Sequence, residues 1–455
     1  MENDDPGKPE SPSPVPGATI AELGDGLRLR HARPEDAGAL ATLNGDVHRN
    51  IGDAGPDERA AAWTRDLLLK PHPTVTPAHT LLVEDTATGA IASTLVLIPQ
   101  TWSYGGISFG VGRIELVSTA VPYRRRGLVR RQMEEVHRWS AASGDLAQAI
   151  TGIPWYYRQF GYEMTLDLGG ERQVLLSPTT LDDGSGPALT RVRAATVADI
   201  PALLTIDEHA GCRGLFSCRR DGAAWRYQLA GPPAEAVDAW DIHVITAAGG
   251  DLAGYLVADG PPSADGVTII RLEIGPATTW VDAVGPTLAW ATAGARAAIG
   301  ATPAADPALR FVLGSDHPAY ALLTGRVIRP RRRSAWFLRI ADVPGFLWRF
   351  RPVLEANLAA SPAADFSGDL TVSSYREGFI LRLRSGAIEA VEPWPEPDAT
   401  ASARFPGLTL LQLLSGWRDL DHLEDAFPDC LVRDEHRAVI EGLFPRRGSW
   451  VWPLD

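Results

Sequence analysis

Lysine is almost missing from this 455-residue chain: Lys8 and Lys70 are the only two among 43 basic residues. Arginine supplies the rest, a bias that fits GC-rich codon usage and carries no functional argument. Cysteine is scarce too. Cys212, Cys218 and Cys430 are too few and too irregularly spaced for a disulfide framework, and no CxxC pair suggests a metal knuckle. Grouping His209 with Cys212 and Cys218 matches no zinc spacing and lacks a fourth ligand. A reducing cytoplasm is therefore the expected compartment. No run supplies the roughly 20 uncharged apolar residues of a bilayer crossing, so no membrane partner is expected. The segment 1–26 is acidic and rich in Pro, Ser and Gly, without the basic and apolar regions of a signal peptide, and reads as a disordered tail.

The composition is that of a folded protein. Hydrophobic residues make up 45% and charged residues 22%, with a mean hydropathy of -0.07, too apolar for disorder. At roughly 150 residues per domain, the length suggests about three units. A net charge of -13 disfavours bulk phosphate binding, so nucleic acid is not an expected partner, and cationic partners are mildly favoured. The basic run Arg329, Arg331, Arg332 and Arg333 has no interleaved stacking aromatics and reads as a strand edge or a domain interface.

An internal repeat organises the chain. Arg30, Ala32, Asp36, Ala39, Leu40 and Thr42 recur in order as Arg193, Ala195, Asp199, Ala202, Leu203 and Thr205, at a constant offset of 163. Each copy opens with a short alternating strand followed by a helical pattern. In the first, "HTLLVED", "GAIASTLVLI" and "ISFGVGRIELVSTA" predict strands before a helix from about Arg125 to Ala142, and "LAQAITG" predicts another. The second repeats the outline through "WDIHVITAA", "DLAGYLVAD" and "GVTIIRLEIG", a helix from Asp282 to Ile299, and closing strands "RFVLGS" and "AWFLRIA". From Val343 the texture changes to an amphipathic helix, a small antiparallel sheet and further helices. The expected class is mixed α/β (α+β), in units 27–180, 188–341 and 342–455.

The most informative stretch is "IELVSTAVPYRRRGLVRRQMEEVHRW". A strand ends near Thr119, a turn carries Arg124, Arg125, Arg126 and Gly127, and a helix begins, so backbone N–H groups and the positive end of the helix dipole converge. Two readings are open. One is an anion site, with Gly127 allowing close approach and the arginines adding charge-assisted hydrogen bonds. The other is a solvated basic turn, in which the charges oppose the dipole.

The run Val121-Pro122-Tyr123-Arg124-Arg125-Arg126-Gly127-Leu128-Val129-Arg130 resembles motif A of the GNAT superfamily of acyl-CoA-dependent N-acyltransferases, with Val129 in place of the final small residue. About thirty positions on, "ITGIPWYYRQFGYE" is similar to its second signature, with Tyr157, Gly161 and Tyr162 in the expected places. Two tandem units followed by a domain similar to sterol carrier proteins resemble the enhanced intracellular survival (Eis) family over roughly 27–455. The second copy lacks the arginine-rich turn. Its "PAYALLTG" echoes "PWYYRQFG" through Pro318, Tyr320 and Gly325, but Ala321 stands at the Tyr157 position, so a second active site is not expected.

The resemblance implies acetyl-CoA as acyl donor, no metal, and acetyl transfer to a small cationic primary amine: an aminoglycoside, a polyamine, a lysine side chain or an amine-bearing natural product. It implies that Val117, Ser118 and Thr119 pair with the pantetheine arm, that Arg125, Arg126, Gly127, Leu128, Val129 and Arg130 hold the pyrophosphate, and that Gly152 and Ile153 border the cofactor. Tyr157 would be the general acid, with Tyr156 the competing assignment. The terminal carboxylate of Asp455 would be the base, with Glu115 competing unless it faces solvent or pairs with Arg113. A homo-oligomer, hexameric or smaller, is implied as well. A lipid carrier and an inactive acyl-CoA sensor are the alternatives.

Overall fold

The computed structural model describes residues 14–49, 52, 54–153, 155–175, 190–230, 235–237, 239–247, 249–299, 307–323, 327–330 and 335–452. The first unit runs β1 (Thr19–Gly24), β2 (Leu27–His31), α1 (Ala37–His48), α2 (Glu58–Leu69), β3 (Thr80–Asp85), β4 (Ile91–Tyr104), β5 (Ile107–Thr119), α3 (Leu128–Ala142), β6 (Asp145–Ile150), β7 (Glu163–Asp167) and β8 (Glu171–Leu175). The second comprises β9 (Thr190–Ala194), α4 (Ile200–Gly211), β10 (Phe216–Arg219), α5 (Gly222–Ala230), β11 (Asp241–Ala247), β12 (Leu252–Ala258), β13 (Gly266–Ile274), α6 (Trp280–Ile299), β14 (Ala308–Val312), β15 (Val327–Pro330) and β16 (Ala335–Arg339). The third holds α7 (Val343–Arg349), α8 (Arg351–Ala359), β17 (Gly368–Ser373), β18 (Gly378–Arg384), β19 (Ala387–Trp394), β20 (Ala403–Arg404), α9 (Thr409–Leu414), α10 (Leu420–Ala426), β21 (Leu431–Val432) and α11 (Asp434–Leu443).

The repeat detected in the sequence is a repeated ion pair. Arg30 grips Asp36 through two bonds of 2.7 and 2.9 Å, and Arg193 grips Asp199 through two of 2.8 and 2.7 Å. In both copies the same aspartate also accepts a backbone N–H three residues before it. Such bidentate pairs fix geometry as well as adding energy. The guanidinium of Arg193 is the main reason the Asp199 carboxyl is lowered to about 2.

The strands are not shared out as the sequence suggests. The first sheet is ordered β1-β2-β3-β4-β5-β6-β16-β7, with β10 against the far half of β4, and the second is β15-β8-β14-β13-β12-β11-β9. "AWFLRIA", expected to close the second unit, instead lies between β6 and β7, pairing Phe337 with Ile150 and Trp336 with Leu166. In return β8 enters the second sheet beside β14. The crossover falls at Gly169-Gly170. Gly170 has φ 85°, and a Cβ there would lie 2.6 Å from the carbonyl carbon of Gly314, so only glycine lets the two backbones cross.

Two further expectations are corrected. The supposed tail is a paired edge strand from Thr19 to Gly24, and residues 1–13 lie outside the described part. The helix from Val343 is broken at Phe350 by Pro352, which lacks an N–H to continue the ladder. The third unit's five strands follow the order β19-β18-β17-β20-β21. This unit packs on one face of the first sheet through Tyr104, Phe109, Phe216, Phe346 and Phe350, and the Tyr104 hydroxyl donates to the carbonyl of Leu414 at 3.0 Å. The opposite face is covered by α3 through Leu128, Met133 and Val136. Among the described residues no helix is long and apolar enough to cross a membrane.

Replacing Gly170 by alanine forces both a left-handed φ and a backbone clash. Gly170→Ala is expected to lower the urea midpoint by the equivalent of more than about 1 kcal/mol; an unchanged midpoint would show that the crossover tolerates a side chain.

Candidate functional site

The site begins where a parallel pair comes apart. β5 and β6 run in register from Gly110–Asp145 to Ile114–Ile150 and then stop pairing, while β5 continues along β4 to Thr119. On that stretch the register slips by one: Val96 faces Glu115, but Thr94 faces Ser118. The extra residue is Leu116, at φ 52°, a bulge that turns the strand end outward. A cleft opens between residues 115–119 and the chain leaving β6.

The β5 wall is pinned from behind. Ser93 donates to the carbonyl of Ser118 at 2.8 Å and lies 2.6 Å from Oε1 of Gln132 on α3. The Ser118 Oγ is buried without a hydrogen-bond partner among the described residues. Beyond Thr119, a short 3-10 turn at Val121–Tyr123 leads into α3, whose N-cap is Gly127 at φ 74° with no side-chain cap. The first-turn N–H groups of α3 therefore face outward unclaimed by a cap. A Cβ on Gly127 would meet nothing within 4 Å, so within the chain this glycine is required by its left-handed backbone rather than by crowding. Arg125 is left-handed as well, at φ 63°. Arg126 reaches the exposed Asp25 at 3.3 Å, and Arg130 donates to Gln159 at 3.0 Å while lying over Phe160. Arg125 has no such partner among the described residues. Leu128 is buried in the core behind the loop and Val129 packs against it.

The opposite wall carries the second signature. Gly152 has φ 119°, Ile153 is exposed, and Trp155 is left-handed at φ 68°; Pro154 lies outside the described residues. These turns bring the 3-10 segment Tyr156–Phe160 back under the cleft. Tyr157 is only 5% exposed, ringed by Tyr156, Phe337 and Tyr162. A Cβ on Gly152 would lie 3.5 Å from its ring and 3.8 Å from its hydroxyl. That hydroxyl has no hydrogen-bond partner among the described residues, whereas the Tyr162 hydroxyl sits 2.7 Å from Nε2 of His137. Burial first, and then the Glu115 carboxylate, push the Tyr157 phenol well above its ordinary range. Tyr156 is far more open, at 36% exposed.

Glu115 lies at the mouth of the divergence. It accepts from Nε of Arg113 at 3.0 Å and from the Thr151 hydroxyl at 3.3 Å, so of the alternatives read from the sequence the structure realises the pairing with Arg113. The Arg113 guanidinium lies between the rings of Trp63 (5.7 Å) and Trp336 (5.6 Å). His48 is nearby and is lowered by burial against the opposing pull of Glu115. His72 is lowered to about 4, chiefly by burial. None of Trp63, Trp336, His48 or Thr151 was found by sequence reasoning. A signal for the Arg113–Glu115 pair existed: Arg113-Ile114-Glu115-Leu116 returns as Arg271-Leu272-Glu273-Ile274.

Asp455 lies outside the described residues. The last described ones approach the first sheet: Ser449 accepts from the N–H of Asp167, and the Val451 carbonyl accepts from the Trp336 indole at 3.0 Å. In the second copy Tyr320 gives its hydroxyl to a backbone cluster with Gly170, Phe311 and Leu313, which explains the echo of the signature as packing. Among the described residues no group of His, Cys, Asp or Glu is placed to hold a metal.

Residues 54–165 match the family described as Acetyltransferase (GNAT) domain. No curated protein matches the chain. Solved structures do. A GCN5-related N-acetyltransferase from Kribbella flavida superposes with a TM-score of 0.62 at 18% identity, covering 94% of this chain and 99% of the other. One from Anabaena variabilis gives 0.63 at 13%, covering 93% and 99%. Eis1 from Mycobacterium abscessus gives 0.59 at 14%, covering 93% and 98%. The chain thus carries a GNAT acetyltransferase domain, within a longer fold shared with these proteins.

Removing Arg113 would leave a largely buried carboxylate without its cation. Arg113→Leu is expected to cost roughly 3 kcal/mol of stability, read from the urea midpoint; a loss within error would show that Glu115 is solvated well enough to do without the pair.

Proposed function

We propose that the chain is an acetyl-CoA-dependent N-acetyltransferase acting on a small, cationic primary amine. The observation that carries this reading is one cleft uniting an uncapped helix N-terminus beside arginines with a buried tyrosine whose hydroxyl has no partner among the described residues. The donor supplies a thioester carbonyl and a thiolate leaving group. The first-turn N–H groups at Leu128, Val129 and Arg130, with Gly127, Arg125 and Arg126, fit a pyrophosphate, which would also relieve the unfavourable charge of arginines at a helix N-terminus. Val117, Ser118 and Thr119 offer a strand edge to an extended pantetheine arm, with Gly152 and Ile153 opposite.

The acceptor nitrogen attacks the carbonyl carbon, the carbon–sulfur bond breaks, and the departing sulfur takes a proton from Tyr157, which solvent replenishes. A phenol held above its ordinary range stays protonated across the working pH, as an acid must. Its burial favours Tyr157, 5% exposed, over Tyr156 at 36%. An alkyl ammonium with pKa near 10.4 must lose a proton first. The terminal carboxylate of Asp455 is proposed as the base, supported by the Val451 carbonyl's bond from the indole of Trp336, the ring that lies beside Arg113; Glu115 competes, although it is already engaged by Arg113. The units are proposed as 27–180, with β1 added at its start, 188–341 and 342–455, the first two exchanging β8 and β16, and the last similar to sterol carrier proteins and completing the site, in a homo-oligomeric, cytoplasmic enzyme.

Thiol release with a panel of aminoglycosides, polyamines and lysine peptides tests the activity; no release with any of them would sink it. Tyr157→Phe is expected to lower kcat about 10²-fold or more with little change in the KM for acetyl-CoA, and an unchanged kcat removes Tyr157 from the chemistry. Because this phenol is raised, wild-type turnover should show no alkaline fall from it below about pH 10. Extending the chain beyond Asp455 with a tag is expected to cut turnover; full activity would move the base to Glu115.

A further inference from the structure

The second sheet opens in the same way as the first. β13 and β14 pair in parallel from Gly266–Ala308 to Ile269–Phe311 and then part. Arg271 and Glu273 stand on one side, at the places of Arg113 and Glu115, and the chain from Leu313 to Pro318 leaves on the other. Between them lies a cavity of about 300 Å³, walled also by Asp167 of the first unit, Arg213 and Trp450. That volume is at the lower end of small-molecule sites.

Two features of this cavity call for a ligand. Ser315 lines it at 8% exposed, and its Oγ is closed off behind the wall with no hydrogen-bond partner among the described residues, so that a turn about its Cα–Cβ bond would present it to a ligand. Such orphans in native structures ask for a partner. The second feature is Asp167, 6% exposed. Its carboxylate accepts the backbone N–H of Ser315 at 2.9 Å and the Trp417 indole N–H at 3.5 Å, both neutral, and among the described residues no cation lies within ion-pair distance. A buried carboxylate without a counter-charge is costly.

The cations on the wall are already committed. Arg213 pairs with Glu273, and Arg271 is divided among Asp207, Glu273 and the Tyr255 hydroxyl. Among the described residues the uncompensated charge on the cavity wall is therefore the negative one of Asp167, since Asp316 pairs with Arg446 at 3.8 Å. The Trp450 ring offers an apolar surface for a short carbon chain.

We propose that this cavity is a second, non-catalytic binding site for a small organic ammonium, with Asp167 as its counter-ion and Ser315 as a hydrogen-bond partner. With Ala321 in place of the tyrosine and no glycine-arginine loop, the site holds its ligand without reacting with it. Equilibrium dialysis of the full chain against radiolabelled 1,4-diaminobutane, without acetyl-CoA, tests it. Wild type is expected to retain the diamine. Asp167→Asn should weaken that binding at least tenfold, and Ser315→Leu, which fills the space, should abolish it. Absence of binding by wild type at millimolar diamine, or binding that survives in folded Asp167→Asn or Ser315→Leu, would overturn the proposal. Should Asp167→Asn not fold, Ser315→Leu decides. The catalytic reading stands or falls separately, on thiol release and Tyr157→Phe.

Discussion

The structure depends on one backbone event, the separation of a parallel strand pair after Ile114 and Ile150. A sheet that stayed paired would bury its strand ends against each other and offer no edge. Because β6 ends while β5 goes on, the bulge at Leu116, the turn into α3 and the segment carrying Tyr157 all face one opening. The residues behind them serve mainly to hold it open. Ser93 and Gln132 fix the end of β5 from the α3 side, Gly152 lets the other wall pass close to the tyrosine ring, and the Thr151 hydroxyl spans the gap to Glu115.

The two halves show how such an opening is kept or lost. Both retain the Arg–Asp clasp at their start and the Arg-x-Glu pair at the divergence. Only the first keeps a left-handed glycine ahead of a helix and a tyrosine with a free hydroxyl. In the second, the tyrosine one place earlier, Tyr320, ties up its hydroxyl among backbone groups, and Glu273 is held by Arg213. The fold persists where packing demands it, while at the first opening the Tyr157 and Ser118 hydroxyls and Arg125 have no partner among the described residues.

Much of this was legible in the sequence. The Gly127 turn and Tyr157 announce themselves because glycine, arginine and tyrosine at fixed spacing have a local backbone meaning, and the repeat of Arg30 and Asp36 marks a real pair. The strand exchange was not legible. "AWFLRIA" is apolar throughout, and a buried strand of that kind carries no label for which sheet it joins. The surroundings of the Arg113–Glu115 pair, Trp63, Trp336 and His48, were hidden for a related reason: these residues come from distant segments that only tertiary packing brings together.

The exchanged strand also sets a schedule for synthesis. β7 leaves the ribosome well before β16, the strand that must sit between it and β6, because Asp167 and Ala335 are separated by almost the whole second unit. At about 5–20 residues per second, the first sheet waits roughly ten to thirty seconds with its site-bearing edge open. The first sheet is complete only once the second unit has been made, so the second copy is a timekeeper for the first.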